Sequence, residues 1–441
     1  MRRMGSVRFV TYGCKANQYD TQVLREALTR RGWKEEDHAA DLLVVNTCTV
    51  TAEAGRKARQ LIRRAHRERP ETKICVTGCL AESEPEVLRE LPGVEWVLGN
   101  GEAKQPIHFL RELGEEFTPE ELGIPSGITE FSGHTRAFLK IQDGCDMACA
   151  FCIIPSVRGK SKSRPITELV AEVERLAEAG YIEIVLCGIH IGHWGRDLGL
   201  ELADLVQALA SATPRDPSGA PCDFRLRLSS IEATEVSDRL LEVMAHESRR
   251  VAPHLHMPLQ SGDDEILRSM NRWYGVEEYL GHCDRIRAAL DRPAFTADVL
   301  VGFCGEEDQH FEKTLDTVRR AGFARLHVFP FSVRPGTAAE SLGAPPPPPV
   351  VRERRAALSE LASELQSEYR RSLDGALDSI VLEGSVGLSG RYQRVRVPLE
   401  RIEGALPPRL DVRLALERDA EGAERLIGHA LTPNRLMETA R

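Results

Sequence analysis

Residues 137–152 read Ala-Phe-Leu-Lys-Ile-Gln-Asp-Gly-Cys-Asp-Met-Ala-Cys-Ala-Phe-Cys. The first six residues are a short, mostly apolar run of the kind that forms a buried β-strand. The rest has the spacing Cys145-x3-Cys149-x2-Cys152. Three thiolates from one loop can bind three irons of a cubane [4Fe–4S] cluster, and the fourth iron then stays open to a small molecule. A structural zinc site would need a fourth Cys or His. His134 lies before the strand, at no recognised metal spacing. The open cluster is the favoured reading; zinc or plain structural cysteines are the alternative.

Downstream of this loop the pattern repeats. Strands are expected at 137–142, 183–187, 225–230, 255–259, 295–301 and 325–329, with helical stretches between them, such as 167–179. Six strand–helix units are fewer than the eight of a closed (βα)8 barrel, so either the barrel over residues 131–344 is a partial (βα)6 one, the expectation taken here, or two further units are not legible. Upstream, 1–115 also alternates. Strands are expected at 7–12, 42–46, 74–77 and 94–98, and helices at 18–31, 53–69 and 82–91. Short apolar strands between amphipathic helices imply a doubly wound parallel sheet. Residues 101–134 read as a linker.

The prolines at 345–349 exclude helix and central strand there and suggest an extended spacer. A charged helix is expected at 351–371. In 372–441, segments 379–383, 392–397 and 411–416, broken by Gly and Pro, suggest a small β-barrel. The whole is an α/β multidomain chain.

The chain has 441 residues, 42% hydrophobic and 28% charged, with net charge −9. This excludes a disordered or fibrous chain and argues against a uniformly basic nucleic-acid coat. No apolar run approaches the ~20 residues of a membrane span, and no export signal is legible. A cytoplasmic protein without a membrane partner is expected. Eleven cysteines, an odd number, then favour catalysis or metal binding over a disulfide framework.

Cys14, Cys48 and Cys79 each follow a strand of the N-terminal sheet. In a parallel sheet all three sit on the carboxyl edge, where such sheets bind ligands. Gly13 and Gly78 permit sharp turns there. Any one of the three could be a core cysteine; three at equivalent strand ends point to a second cluster. Cys75 lies within a strand and reads as core.

An aromatic before the last cysteine of Cys-x3-Cys-x2-Cys, just after a first barrel strand, resembles the radical S-adenosylmethionine (SAM) superfamily. The resemblance implies that the open iron chelates SAM and that its reductive cleavage gives a 5′-deoxyadenosyl radical. It also implies catalytic roles for Cys145, Cys149 and Cys152, with Phe151 near the adenine. Two cysteine triads in this order resemble the methylthiotransferases along essentially the whole chain. That family implies an N-terminal domain whose cluster supplies sulfur, a radical SAM domain and a C-terminal TRAM-like RNA-binding barrel. Its partners would be tRNA, an electron donor such as flavodoxin or ferredoxin, and a sulfur source.

Segments such as Lys140-Ile-Gln-Asp-Gly-Cys145, His254-Leu-His-Met-Pro-Leu-Gln-Ser-Gly262 and Arg334-Pro-Gly-Thr337 look most like the threonylcarbamoyladenosine branch. The isopentenyladenosine and ribosomal-protein aspartate branches are the alternatives, as is a non-catalytic electron carrier or RNA-binding protein. Cys304 stands where the family has Pro.

Strand-end position nominates Gly188, Ser230, Glu232 and Gln260 for SAM. Gly188 could equally be a turn glycine and Glu232 a surface acid. Ser261 could bind ligand or cap a helix, and His190 and His256 are pocket residues at best. The helix at 53–69 carries Arg56, Lys57, Arg59, Arg63, Arg64, Arg67 and Arg69 against Glu68, a dense basic face suited to a phosphate backbone. Arg158, Lys160, Lys162 and Arg164 form a second basic stretch, in which Arg158 and Arg164 are candidates to pair a substrate carboxylate. The alternative for each is a solvated surface.

Overall fold

The segment Leu42-Leu-Val-Val-Asn-Thr47 is buried at every position. A strand buried on both faces must sit inside a two-sided sheet, because successive side chains point to opposite faces. Leu42 and Val44 pack with Leu24, Leu28 and Phe109; Leu43 and Val45 pack with Ile62, Leu80 and Leu88. The structure, a computed structural model, describes residues 5–50, 52–101, 105–115, 126–398, 409–419 and 424–431. It divides into two units, Met1–Ala179 with Leu186–Glu201 and Ser332–Ala338, and the remainder.

In the first unit, strands β1 (Ser6–Thr11), β2 (Lys34–Glu35), β3 (Leu42–Thr47), β4 (Lys73–Gly78) and β5 (Val94–Leu98) form one sheet in the order β2-β1-β3-β4-β5. All its pairings are parallel. Helices α1 (Lys15–Arg30) and α2 (Ala52–Glu68) make the crossovers. This is the flavodoxin-like order, whose strand sequence reverses between β1 and β3.

The helix expected at 82–91 is two, α3 (Cys79–Ser83) and α4 (Pro85–Arg89). Pro85 lacks the N–H that would continue the first, but suits the first turn of the second. The expected linker contains a helix, α5 (Pro106–Glu112), whose Phe109 and Leu110 complete one core face. Two core residues in seven were too few to show a period. Residues 116–125 of that linker, and 432–441, lie outside the described residues.

The same unit holds β6 (Arg136–Lys140), β7 (Gln142–Asp143), α6 (Ile154–Arg158), β8 (Lys162–Ser163) and α7 (Ile166–Glu178). The pairing of β7 with β8 is antiparallel and closes the loop that carries Cys145, Cys149 and Cys152. Strand β9 (Glu183–Cys187) begins in the second unit and ends in the first.

In the second unit β10 (Arg225–Leu228), β11 (His254–His256), β12 (Ala294–Val301) and β13 (Arg325–Pro330) alternate with helices, and β11, β12 and β13 pair in parallel. All six expected strand–helix units are present. Helix α8 (Pro348–Ser372) starts inside the proline run, which corrects the expectation of a spacer through residue 349. The first turn of a helix has no partner for its N–H groups, so proline costs nothing there.

Five strands then close a barrel: β14 (Leu377–Glu383), β15 (Val386–Ser389), β16 (Arg394–Arg396), β17 (Arg409–Arg418) and β18 (Glu424–Ala430), in the order β14-β15-β16-β18-β17. Strands β15 and β18 escaped the sequence reading because each is interrupted by glycine. Gly428 needs no side chain: a Cβ there would lie 3.0–3.2 Å from Ile380, Val395 and Val412. Among the described residues no helix is long and apolar enough to cross a membrane.

A buried charge cluster fastens this barrel within the second unit. Glu183 accepts from Arg225 at 2.6 and 2.9 Å and from Arg227 at 2.8 and 3.0 Å. The free donors of the two guanidiniums reach the barrel's backbone carbonyls at Ser379 (2.7 Å), Ser389 (2.9 Å) and Gly390 (2.9 Å). Glu183→Gln removes the only acid these two cations share an ion pair with among the described residues. The expected cost is about 3–5 kcal/mol, the usual penalty for stranding a buried charge. Chemical unfolding followed by tryptophan fluorescence measures it; an unchanged transition would deny the clamp.

Candidate functional site

The carboxyl edge of the first unit's sheet is built around Asn17. Its amide donates to the carbonyls of Tyr12 and Thr47, both at 2.9 Å. Asn46 donates back to the Asn17 carbonyl at 2.9 Å, and Thr47 Oγ1 donates to the Thr77 carbonyl at 2.6 Å. The ends of β1, β3 and β4 are thereby tied together. Cys14, Cys48 and Cys79 follow those three ends. Gly13 (φ +106°) touches Cys48 so closely that a Cβ would sit 2.7 Å from the Cys48 Cβ. At Gly78 (φ +94°) a Cβ would strike the Thr47 backbone at 2.3 Å. Both glycines are required, by conformation and by space. Cys48 and Cys79 are buried, Cys14 is exposed, and all are free thiols.

Cys145, Cys149 and Cys152 lie half-buried on one loop, also as free thiols. Gln142 organises that loop. Its side-chain amide donates to the carbonyls of Asp143 (2.9 Å) and Gly144 (2.7 Å) and to Ser161 (2.8 Å). Its side-chain oxygen accepts from the backbone of Ile189 (3.1 Å) and His190 (2.9 Å). Cys145 N donates to the Gly159 carbonyl at 3.0 Å. His190 Nδ1 lies 3.5 Å from Cys145 Sγ and its ring stacks on His193 at 3.8 Å. Sequence reading passed over Gln142, although it stands in the quoted run; a buried amide has no spacing signature. Phe151 is half-buried. Gly188 is spoken for by packing: a Cβ there would lie 2.9 Å from the carbonyl and side-chain oxygens of Gln142.

Arg158 and Arg164 turn inward to partners within the protein, contrary to the expectation of an outward basic stretch. The Arg158 side chain is 1% exposed. It grips Asp143 at 2.7 and 2.9 Å, Asp20 at 3.2 Å, Asn17, and Cys79 Sγ at 3.4 Å. Burial works against its charge, but Asp20 and Asp143 keep it protonated. Asp143 would be raised by burial; Lys140 and Arg158 hold it below its ordinary value. Arg164 bonds Glu172 at 2.7 Å, Tyr19 at 2.9 Å and the Lys140 carbonyl at 2.9 Å. Of the four cations in the run 158–164, the first and last turn inward to buried partners, while Lys160 and Lys162 are exposed.

The second unit holds Ser230, Glu232, Gln260 and their neighbours. Ser230 is exposed at the end of β10 and bridges to His256. Glu232 is no surface acid; it is buried and ion-paired with Arg272, which lies over the rings of Trp273 and Tyr274. Gln260 has φ +65°, a left-handed backbone rare outside glycine, and its N–H donates to the Asp298 carbonyl at 2.9 Å. Ser261 caps nothing: the cap of the next helix is Asp263, which accepts from Glu265 N at 2.8 Å and Ile266 N at 3.0 Å. His256 bonds Thr296 at 2.8 Å. Cys304 donates to the Gly343 carbonyl at 3.1 Å.

On α2, Arg56 pairs with Glu53, Arg59 with Glu84 and Arg64 with Glu68. Arg63 and Arg67 are exposed. With Tyr12, Lys57, Gln60, Leu61 and Arg64 they line an open groove of about 580 Å³.

Comparison with known proteins fits this layout. Residues 6–99 match the model described as "Uncharacterized protein family UPF0004", and 139–318 that of the radical SAM superfamily. The threonylcarbamoyladenosine tRNA methylthiotransferase MtaB of Bacillus subtilis is 37% identical over 418 residues, covering 89% of this chain and 90% of that protein. The protein of the same name from Thermotoga maritima is 34% identical, covering 86% and 87%. A tRNA-2-methylthio-N(6)-dimethylallyladenosine synthase of Cereibacter sphaeroides is 35% identical, covering 86% and 88%.

Among solved structures, the radical SAM methyltransferase TsrM of Kitasatospora setae superposes with a TM-score of 0.55 at 15% identity, covering 98% of this chain and 87% of that one. That likeness speaks for the fold alone. Two matching domains and full-length relatives at this identity lead to one conclusion: the chain is an enzyme of the radical SAM methylthiotransferase family.

Proposed function

We propose that the protein methylthiolates C2 of N6-threonylcarbamoyladenosine at position 37 of tRNA, with SAM as methyl donor and radical source. The observation that carries this reading is the pair of cysteine triads in one unit, each on loops fixed by buried hydrogen bonds. The donor chemistry fits: each triad offers three free thiols, enough for a cubane with one iron left open. Cys145, Cys149 and Cys152 would hold the cluster whose electron cleaves SAM. Cys14, Cys48 and Cys79 would hold a second, from which sulfur reaches the substrate.

The bound cofactors supply radical and sulfur chemistry; the protein orients the reactants and excludes water. Gln142 and Gly144 set the first loop, and Asn17 spaces the second set. Phe151, on the same loop as the Cys145, Cys149 and Cys152 triad, is the residue we assign to SAM. An external electron donor, such as flavodoxin or ferredoxin, and a sulfur source complete the reaction.

Relatives named for dimethylallyladenosine match almost as well as those named for threonylcarbamoyladenosine, so dimethylallyladenosine tRNA is the second reading. The threonylcarbamoyl group carries a carboxylate and needs a cation that no protein acid has claimed. With Arg158 and Arg164 consumed, Arg334 takes that role: among the described residues its buried Nε has no hydrogen-bond partner, and its charge interacts with Cys48. The α2 groove, with Arg63 and Arg67 exposed, suits the tRNA backbone.

Three experiments test this. Anaerobically reconstituted protein should carry about eight irons, four per cubane. Substituting either triad by alanine should leave about four, and only loss of Cys145, Cys149 and Cys152 should abolish SAM cleavage. Full iron content after loss of Cys14, Cys48 and Cys79 would refute the second cluster.

Arg63→Glu with Arg67→Glu should weaken tRNA binding and flatten its salt dependence by roughly one to two units of log–log slope. Iron content should not change. Equal affinity at low salt would return the helix to a solvated face.

Reconstituted enzyme should methylthiolate tRNA bearing threonylcarbamoyladenosine far better than isopentenylated or unmodified tRNA, and Arg334→Met should erase that preference. A site built for a carboxylate leaves donors unpaired against an alkyl group. Nucleoside mass analysis decides it; preference for the isopentenylated tRNA would move the protein to the second reading.

A further inference from the structure

We propose that Arg158 is a positioning residue for the N-terminal cysteine triad, its Nε–H hydrogen-bonded to the Cys79 sulfur while the rest of its guanidinium fixes that sulfur against the loop of Cys145. The inference rests on the reading that this triad holds a cluster.

A guanidinium has five N–H donors in a rigid fork. At Arg158 there is an acceptor for each: Cys79 Sγ from Nε, both Asp143 oxygens from one terminal nitrogen, and Asn17 and Asp20 from the other. Nothing is left over for solvent or phosphate. Each partner belongs to a cysteine. Asn17 and Asp20 lie in the first turns of α1, directly after Cys14. Asp143 stands two residues before Cys145. Gly159, the next residue after Arg158, accepts the Cys145 N–H at 3.0 Å. One side chain and one peptide thus link the Cys79 sulfur to the Cys145 backbone.

The charges around it balance. Lys140 also pairs with Asp20 and, at 3.0 Å, with Asp143, so two cations face two carboxylates. The network is neutral by itself. What Arg158 offers the triad is therefore a directed N–H rather than an unspent charge. The sulfurs of Cys79 and Cys14 both favour its protonated form. Hydrogen bonds to cluster sulfurs stabilise the reduced state and raise the reduction potential. Lysine would keep the charge, but its ammonium cannot reproduce the fork.

The test uses the full chain with Cys145→Ala, Cys149→Ala and Cys152→Ala, so that only the N-terminal site holds iron. In this background Arg158→Lys should retain the cluster and shift its midpoint potential to more negative values in an EPR-monitored titration. Protein grown with ¹⁵N-arginine should show ¹⁵N hyperfine coupling in the pulsed EPR of the reduced cluster. That coupling should vanish in Arg158→Lys and persist in Arg334→Lys.

A residue that merely stabilised the fold would lower the unfolding midpoint and leave potential and coupling untouched, which would overturn the proposal. Should Arg158→Lys fail to fold, the labelled parent with Arg334→Lys still reports: absence of coupling there also overturns it. If the parent background takes up no iron at all, the second-cluster reading itself has failed.

Discussion

The buried amide of Asn17 is the constraint on which the first unit depends. A parallel sheet ends in carbonyls at its carboxyl edge, and these must be satisfied without a further strand. Leaving one buried and unpaired costs roughly 1–3 kcal/mol. Asn17 answers two of them, at Tyr12 and Thr47, and so sets the separation of β1 and β3. Those two strands flank the reversal of strand order, the place where a doubly wound sheet opens a crevice. Cys14 and Cys48 sit at its lips because the sheet topology puts them there. Cys79 joins through Gly78, which tolerates the close approach to Thr47 that any side chain would prevent.

Buried arginines recur as structural cations in both units. Arg158 and Arg164 in the first, and Arg225 and Arg227 in the second, are matched by acids and backbone carbonyls. Such networks bring less net stability than an apolar core of the same volume, yet breaking one partner is costly. Their worth is directional: a planar fork fixes an angle as well as a distance.

The eleven cysteines sort by place in the fold rather than by exposure. Cys75 and Cys187 lie within strands, where burial pushes their thiols up. Burial likewise raises Cys283, within a helix, to about 12. These stay protonated at neutral pH and behave as small apolar side chains. Cys48 and Cys79 are as buried, but they stand at strand ends beside glycines and a guanidinium. Position at the sheet edge, with a directed donor nearby, distinguishes them from the core cysteines.

Much of this was legible in sequence. Apolar runs of five or six residues between amphipathic helices determined the parallel sheets, because a two-sided strand needs no alternation. The Cys-x3-Cys-x2-Cys spacing determined the first triad, since its ligands come from a single loop. Glycine-bounded strand ends put Cys14, Cys48 and Cys79 on one edge, because a parallel sheet brings all its carboxyl ends together. Tertiary structure alone decided which charges face inward. Arg158, Arg164 and Arg63 look alike along the chain, and only the partners brought by distant segments, Asp20, Glu172 and none of the described acids respectively, separate a buried fork from a surface cation. The same holds for Glu183 and Glu232, and for the bonds of Gln142 to Ile189 and His190: partners far along the chain leave no local period to read.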